Sequence, residues 1–209
     1  MSSNNENHYF SKKPQAPLKI FSISESLRGH LYIFKTTPGV FSSRKIDLGT
    51  KTLIKYMEIP REKSNLLDMG CGYGPIGLVL AKENPNSTIF MVDINRRAIW
   101  CARENTKINQ ISNAKTIAGS YFEPINSQGI KFDGIYTNPP LKKGKKEFLR
   151  FCESIPNHLK SDGMFQFVIR RTMGAKNIFL LLQKMLPNME VEVRFKRSGF
   201  WVFYLKKKT

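Results

Sequence analysis

Leu66-Leu67-Asp68-Met69-Gly70-Cys71-Gly72-Tyr73-Gly74-Pro75-Ile76-Gly77 is the stretch from which the fold of this chain can be read. A short apolar run ends in an acid, glycines follow at alternate positions, and a proline precedes more apolar residues. That order describes a strand, a sharp turn and the start of a helix. Glycines let the backbone turn tightly and approach a ligand closely, and Pro75 suits a first helical turn.

Outward from this stretch, strand and helix patterns alternate. Strands are predicted at 65–69, 88–93, 115–118, 132–137 and 164–169, with helices at 75–84 and 95–108 between the first three. Such alternation predicts an α/β fold on a parallel sheet. Helical spacing of Phe148, Phe151, Cys152, Ile155 and Leu159, and of Ile178, Leu181, Leu182, Met185 and Leu186, predicts two more helices with core-facing stripes. Near the end Val191, Val193 and Phe195 alternate, Lys196 to Gly199 turns, and Phe200 to Leu205 runs back. This predicts an antiparallel hairpin closing an otherwise parallel sheet.

Upstream, Leu18 to Ile23 and His30 to Lys35 read as strands joined by a polar turn at Ser24 to Gly29, a small hairpin expected to pack on the main sheet. Asp47-Leu48-Gly49-Thr50 opens a helix with Asp47 or Thr50 as its cap. The expected organisation is a disordered or loosely docked tail over 1–12, a hairpin extension over 13–45 and one main domain over 46–209.

A chain of 209 residues, 41% of them hydrophobic, is long enough for one α/β domain with a full core. The formal net charge of +18, from 34 basic and 16 acidic residues, points to a polyanionic partner. The basic residues gather at Lys142, Lys143, Lys145 and Lys146, at Arg170 and Arg171, at Arg194, Lys196 and Arg197, and at Lys206 to Lys208. A solvated surface is the plainer account of the same charge. No segment approaches the roughly 20 apolar residues of a membrane span, and the N-terminus has no signal-like core, so a cytoplasmic protein is expected. Cys71, Cys101 and Cys152 are widely spaced, which indicates neither a disulfide framework nor a metal site.

Gly72-Tyr73-Gly74-Pro75-Ile76-Gly77 alone also fits a dinucleotide fingerprint, with Asp93 as the ribose-binding acid. Asp68, at the carboxyl end of the first strand, argues against a pyrophosphate there and suits the ammonium of a cationic amino-acid ligand such as S-adenosylmethionine. The histidines, His8, His30 and His158, fall outside the expected cleft, which leaves a nicotinamide enzyme without an evident proton donor. Asp93 and Ile94 should edge the cofactor cleft, with Asn95 capping the next helix, and Ser120 is a weaker candidate for the adenine edge.

Asn138-Pro139-Pro140 carries the catalytic reading. Proline fixes its own torsion and pushes the preceding residue toward extended backbone, which holds the Asn138 side-chain oxygen and the Pro139 carbonyl in place as acceptors. An exocyclic or amide nitrogen is a poor nucleophile because its lone pair is delocalised. Two acceptors on its N–H hydrogens orient it toward a sulfonium methyl, and no strong base is needed. On its own, the tripeptide reads first as a plain loop-ending turn, and its position downstream of the methyl-donor pattern reverses that preference.

With these residues in place the chain resembles the small-domain family of class I S-adenosylmethionine-dependent methyltransferases, which includes bacterial ribosomal RNA guanine-N2 methyltransferases and short archaeal relatives. The resemblance runs through Lys35-Thr36-Thr37-Pro38-Gly39-Val40-Phe41-Ser42, Asp47-Leu48-Gly49-Thr50, Leu67 to Gly74, Val92 to Ala98 and Thr137 to Pro140. It is nearest the archaeal single-domain form. It implies a Rossmann-like, seven-stranded mixed sheet and cofactor contacts from Asp68, Gly70, Cys71, Gly72, Gly74, Asp93, Ile94, Ser120 and Asn138. It also implies target-amine binding by Asn138, Pro139 and Pro140, with Phe41 closing the site. Leu141 stands where many relatives carry a stacking aromatic, and Ser120 where many carry an acid. The expected activity is N-methylation of a guanine in structured RNA, small-subunit ribosomal RNA first and transfer RNA second. Lys142, Lys143, Lys145, Lys146, Arg170 and Arg171 are the expected RNA contacts. A protein glutamine methyltransferase and a non-catalytic RNA-binding protein are the rivals; the chain is a monomer or a homodimer, with no metal.

Overall fold

A computed structural model describes residues 19–141 and 144–208. The expectations for the first twelve residues and for Lys142 and Lys143 lie outside the described residues.

Strands β1 (Phe21–Leu27) and β2 (His30–Thr36) form a separate two-stranded antiparallel sheet. The turn is only Arg28-Gly29, with φ of 47° and 83°, rather than Ser24 to Gly29. Ser24 to Ser26 are strand: their exposed serines alternate with the inward Ile23 and Leu27, a polar outer face that reads like a turn in sequence.

Nine further elements build the first half of the main fold: helix α1 (Leu48–Tyr56), β3 (Asn65–Met69), α2 (Pro75–Glu83), β4 (Thr88–Asp93), α3 (Arg96–Ile108), β5 (Ala114–Ala118), the single turn α4 (Glu123–Asn126), β6 (Phe132–Thr137) and α5 (Lys145–Ser154). They are followed by β7 (Leu159–Arg170), α6 (Ala175–Met185), β8 (Met189–Arg197) and β9 (Phe200–Lys207). The helical stripe expected to run to Leu159 stops at Ser154. Pro156 has no N–H to continue it, a 3-10 turn spans Ile155–Asn157, and Leu159 opens β7.

The main sheet has seven strands in the order β5-β4-β3-β6-β7-β9-β8. β3 to β7 pair in parallel and β9 pairs antiparallel to both β7 and β8. This is the expected α/β class I sheet with its antiparallel C-terminal hairpin. Side chains alternate across it into two cores. Leu66, Met91, Tyr136 and Val202 face α1, α2 and α3, while Leu67, Val92, Ile135 and Phe203 face α5 and α6.

The N-terminal hairpin packs against helices and not, as expected, on the main sheet. Two amides, Asn105 on α3 and Asn109 at its C-cap, act as a surrogate strand along the β2 edge. Asn105 Oδ1 accepts from the Lys35 N–H at 2.6 Å and its Nδ2 donates to the Lys35 carbonyl at 2.9 Å. Asn109 repeats the pair with Ile33 at 3.0 and 2.8 Å. These bonds satisfy backbone groups that a bare edge would leave open.

Strand order reverses between β3 and β6, whose carboxyl ends carry the glycine stretch and Asn138. A parallel sheet opens a crevice at such a switch point.

Candidate active site

The crevice is a cavity of about 750 Å³. Its walls come from the β3–α2 loop (Gly70, Cys71, Gly72, Tyr73), the end of β4 (Asp93, Ile94), the loop after β5 (Ser120, Tyr121), the Asn138-Pro139-Pro140 turn, and Phe41, Arg170 and Phe200.

At one end the glycine stretch turns as predicted. Gly70 and Gly72 have φ of 70° and 59°, and the space where their side chains would project is open. Gly74 caps α2 with φ of 96°, a torsion that disfavours any side chain, and a Cβ there would meet Met91 Cε at 2.5 Å and force that side chain to shift. Asp93 organises the loop: its carboxylate accepts the Gly72 N–H at 2.8 Å and the Asn95 N–H at 2.8 Å. Burial raises the Asp93 pKa, and these two N–H groups oppose the rise.

Asp68 is placed differently from expectation. It is fully buried and does not line the cavity. Its Oδ2 accepts the Gly77 N–H in the first turn of α2 at 2.8 Å, and its Oδ1 has no partner among the described residues. Burial pushes this carboxyl up to about 8, with the Gly77 N–H opposing and Asp93 adding. Asp68 braces α2 against β3 from beneath the loop.

At the other end of the cavity Asn138 is held from two sides. Its Nδ2 donates to Asp47 Oδ2 at 2.9 Å and to Thr50 Oγ1 at 2.9 Å. A carboxylate can only accept, so the amide nitrogen must face Asp47, and Oδ1 is the acceptor left for a ligand. The same Asp47 oxygen accepts the Thr50 N–H at 3.1 Å as the N-cap of α1. Sequence reasoning read Asp47 and Thr50 as helix caps; the structure adds the second bond. Gly49 makes the approach possible, since a Cβ there would lie 2.8 Å from Asp47 Oδ2, 3.1 Å from Phe200 Cε1 and 3.4 Å from Asn138 Nδ2. The Pro139 carbonyl, expected to serve as the second acceptor, already accepts the Leu141 N–H at 2.9 Å and keeps one lone pair.

Of the expected residues, Gly70, Cys71, Gly72, Asp93, Ile94, Ser120, Asn138, Pro139, Pro140, Phe41 and Arg170 line one cavity. Gly74, Lys145, Lys146 and Arg171 do not; Arg171 donates its N–H to the Gly199 carbonyl at 2.7 Å beside the β8–β9 turn. Glu147 and Phe200 join the lining without having been singled out. Among the described residues no group of His, Cys, Asp and Glu could hold a metal ion, and no helix is long and apolar enough to cross a membrane.

The model of the methyltransferase small domain family matches residues 31–204, from β2 to β9. The chain belongs to that family. Over 200 residues it is 36% identical to the uncharacterized protein YbxB of Bacillus subtilis, a match covering 96% of this chain and 98% of that protein. A counterpart of similar extent thus occurs in a bacterium. The chain is also 38% identical over 165 residues to ribosomal RNA small subunit methyltransferase C of Aeromonas hydrophila, covering 77% of this chain and 43% of the relative. It spans less than half the length of such relatives. Among solved structures, the T. thermophilus 16S rRNA N2 G1207 methyltransferase in complex with AdoMet and guanosine aligns with a TM-score of 0.77 at 22% identity, covering 93% of this chain and 52% of that one. A ribosomal protein L11 methylase of Lactobacillus delbrueckii aligns with a TM-score of 0.61 at 19% identity, covering 71% of this chain and 72% of that one. At these identities the likeness is one of fold, shared by RNA and protein methylases alike.

Proposed function

We propose that the chain transfers a methyl group from S-adenosylmethionine to the N2 amine of a guanine in structured RNA, with small-subunit ribosomal RNA as the first candidate substrate. The observation that carries the reading is the pinned Asn138 amide, whose nitrogen is taken by Asp47 and Thr50 and whose oxygen is left to accept.

The cavity suits the cofactor in the chemistry of its donors. Gly70 and Gly72 have open space where side chains would project and Asp93, Ile94 and Ser120 line the same cavity, which supports reading Asp93 as the acceptor for ribose hydroxyls and Ile94 and Ser120 as the adenine edge. When bound, the cofactor supplies an electrophilic methyl on a sulfonium. The protein's part is to present the nucleophile. Asn138 Oδ1 and the remaining lone pair of the Pro139 carbonyl each accept one N–H of the amine, aiming the nitrogen at the methyl. Pro139 and Pro140 keep both acceptors from drifting. As the N–C bond forms and the S–CH3 bond breaks the amine becomes cationic, which strengthens both hydrogen bonds in the transition state, and its surplus proton then leaves to water.

The net charge of +18 and the similarity to ribosomal RNA small subunit methyltransferase C favour RNA over protein as the substrate. A target base inside a helix must be turned out into the cavity to reach Asn138. The test is transfer of labelled methyl from S-adenosylmethionine into unmodified ribosomal RNA, transfer RNA and ribosomal protein, followed by nucleoside mass analysis with Asn138→Ala as control. N2-methylguanosine made by the wild type alone is the expected result. Label in protein would move the assignment to a glutamine methyltransferase, and no label in any pool would overturn it.

A further inference from the structure

The Asn138-Pro139-Pro140 turn continues into Leu141, a side chain with no aromatic face to offer a planar substrate. The sheet supplies one from elsewhere. Cross-strand register places Arg170 of β7 opposite Phe200 of β9, and Phe200 opposite Arg197 of β8. Directly paired residues project from the same face of a sheet, so the three form a row with one ring between two guanidinium groups. The next row, Ile169, Trp201 and Lys196, projects from the opposite face, where Trp201 packs on the other core.

Phe200 is half-buried and lines the cavity. Its Cε1 and Asn138 Nδ2 both lie within 3.4 Å of the point where a side chain at Gly49 would begin. The ring and the Asn138 amide therefore flank Gly49 from two sides, and the missing side chain at Gly49 leaves room for both. Arg170 and Arg197 are exposed, and no ion pair is formed by either among the described residues. Arg194, three residues before Arg197 on the same strand, is by contrast taken up by Glu58 and Glu192.

We propose that Arg170, Phe200 and Arg197 form the platform for the target nucleotide, with Phe200 stacking on the base to be methylated and the two arginines holding the flanking phosphates. This rests on the reading of the site as an RNA base methyltransferase. Stacking tolerates any base, so Phe200 supplies affinity and orientation, while choice of the amine stays with Asn138. The arginines add salt-dependent attraction without sequence information.

The experiment uses the full chain with saturating S-adenosylmethionine and an unmodified small-subunit ribosomal RNA transcript, comparing wild type, Phe200→Leu, Phe200→Tyr and Arg197→Gln. Loss of a base-stacking ring corresponds to a loss of roughly 5- to 150-fold in kcat/KM for RNA. Phe200→Leu is expected in that range, Phe200→Tyr within about threefold of wild type, and cofactor affinity unchanged in both. Arg197→Gln sits at an exposed strand end and leaves folding intact. It should weaken RNA binding and lower the slope of log affinity against log salt by about one. Wild-type activity on Phe200→Leu, an equal loss of cofactor affinity in that variant, or an unchanged salt slope in Arg197→Gln overturns the platform. A wild type that methylates no RNA overturns the underlying reading of the site, and the platform with it.

Discussion

Replacing Asp47 by serine separates the two jobs this residue performs. Serine is as good an N-cap as aspartate, so α1 keeps its start and the loss of stability should not exceed about 1.5–3 kcal/mol, the contribution of the hydrogen bond to Asn138. The shorter hydroxyl lacks the carboxylate that takes the Asn138 Nδ2 hydrogen at 2.9 Å. Thr50 remains at 2.9 Å, but a hydroxyl donates as readily as it accepts. With the acceptor-only group gone, the Asn138 amide is free to rotate and present its nitrogen to the cavity, where it repels an amine. A hydrogen bond to a charged partner contributes about 1.5–3 kcal/mol, so the correctly oriented fraction and kcat should fall by roughly 10- to 150-fold. Steady-state methyl transfer gives kcat, calorimetric titration of S-adenosylmethionine gives cofactor affinity, and thermal unfolding gives stability. Asp47→Asn, which keeps an acceptor without its charge, should fall between. Turnover by Asp47→Ser within twofold of wild type would refute the claim that Asp47 sets the amide, and a matching loss of cofactor affinity would show a structural role instead.

Asn138→Ala should abolish turnover while leaving S-adenosylmethionine binding intact; lost binding in the same titration would make Asn138 a structural residue. Gly49→Ala runs against helix propensity, which favours alanine by about 1 kcal/mol. Its Cβ would sit 2.8 Å from Asp47 Oδ2 and 3.1 Å from Phe200, so unfolding and turnover assays should both show loss. Asp68 makes stability depend on pH. Its carboxyl titrates near 4 when unfolded and at about 8 when folded, so between those values the folded chain holds a proton that the unfolded chain has released. The stability this proton contributes is full below about pH 4 and is lost as pH rises toward 8, with a slope of at most about 1.4 kcal/mol per pH unit. Denaturant titrations of the cofactor-free protein across that window should show the decline, and Asp68→Asn should make it shallower, leaving the share of Asp93, whose carboxyl burial also raises.

Much of the frame was legible because it follows from local rules. Period-2 and fully apolar runs identified β3, β4 and β6, and the glycine and proline positions of the β3–α2 loop and of Asn138-Pro139-Pro140 follow from the torsions those residues allow. Local rules also misled in two places. The serines of β1 have turn-like composition and only their alternation around buried Ile23 and Leu27 marks a strand. The apolar spacing through Ile155 and Leu159 continues a helical period past Pro156, where a missing N–H ends the helix.

The site divides the same way. Asn138 and the glycine stretch were visible as motifs, since each carries its own backbone constraint. The partners of Asn138 were not: Asp47 and Thr50 lie 91 and 88 residues away in the chain and look like ordinary caps. Asp68 read as a cofactor ligand until its burial beneath the loop placed it against Gly77. Arg197 and Phe200 pair across a two-residue turn, but Arg170 joins their face only because β7 pairs antiparallel with β9 in the register that sets it opposite Phe200. Torsional preference and periodicity act within a few residues and are written in the order of amino acids. Which distant polar groups meet, and which acceptor is left unpaired at the cavity, depends on how strands and helices stack, and that is settled only when the chain packs.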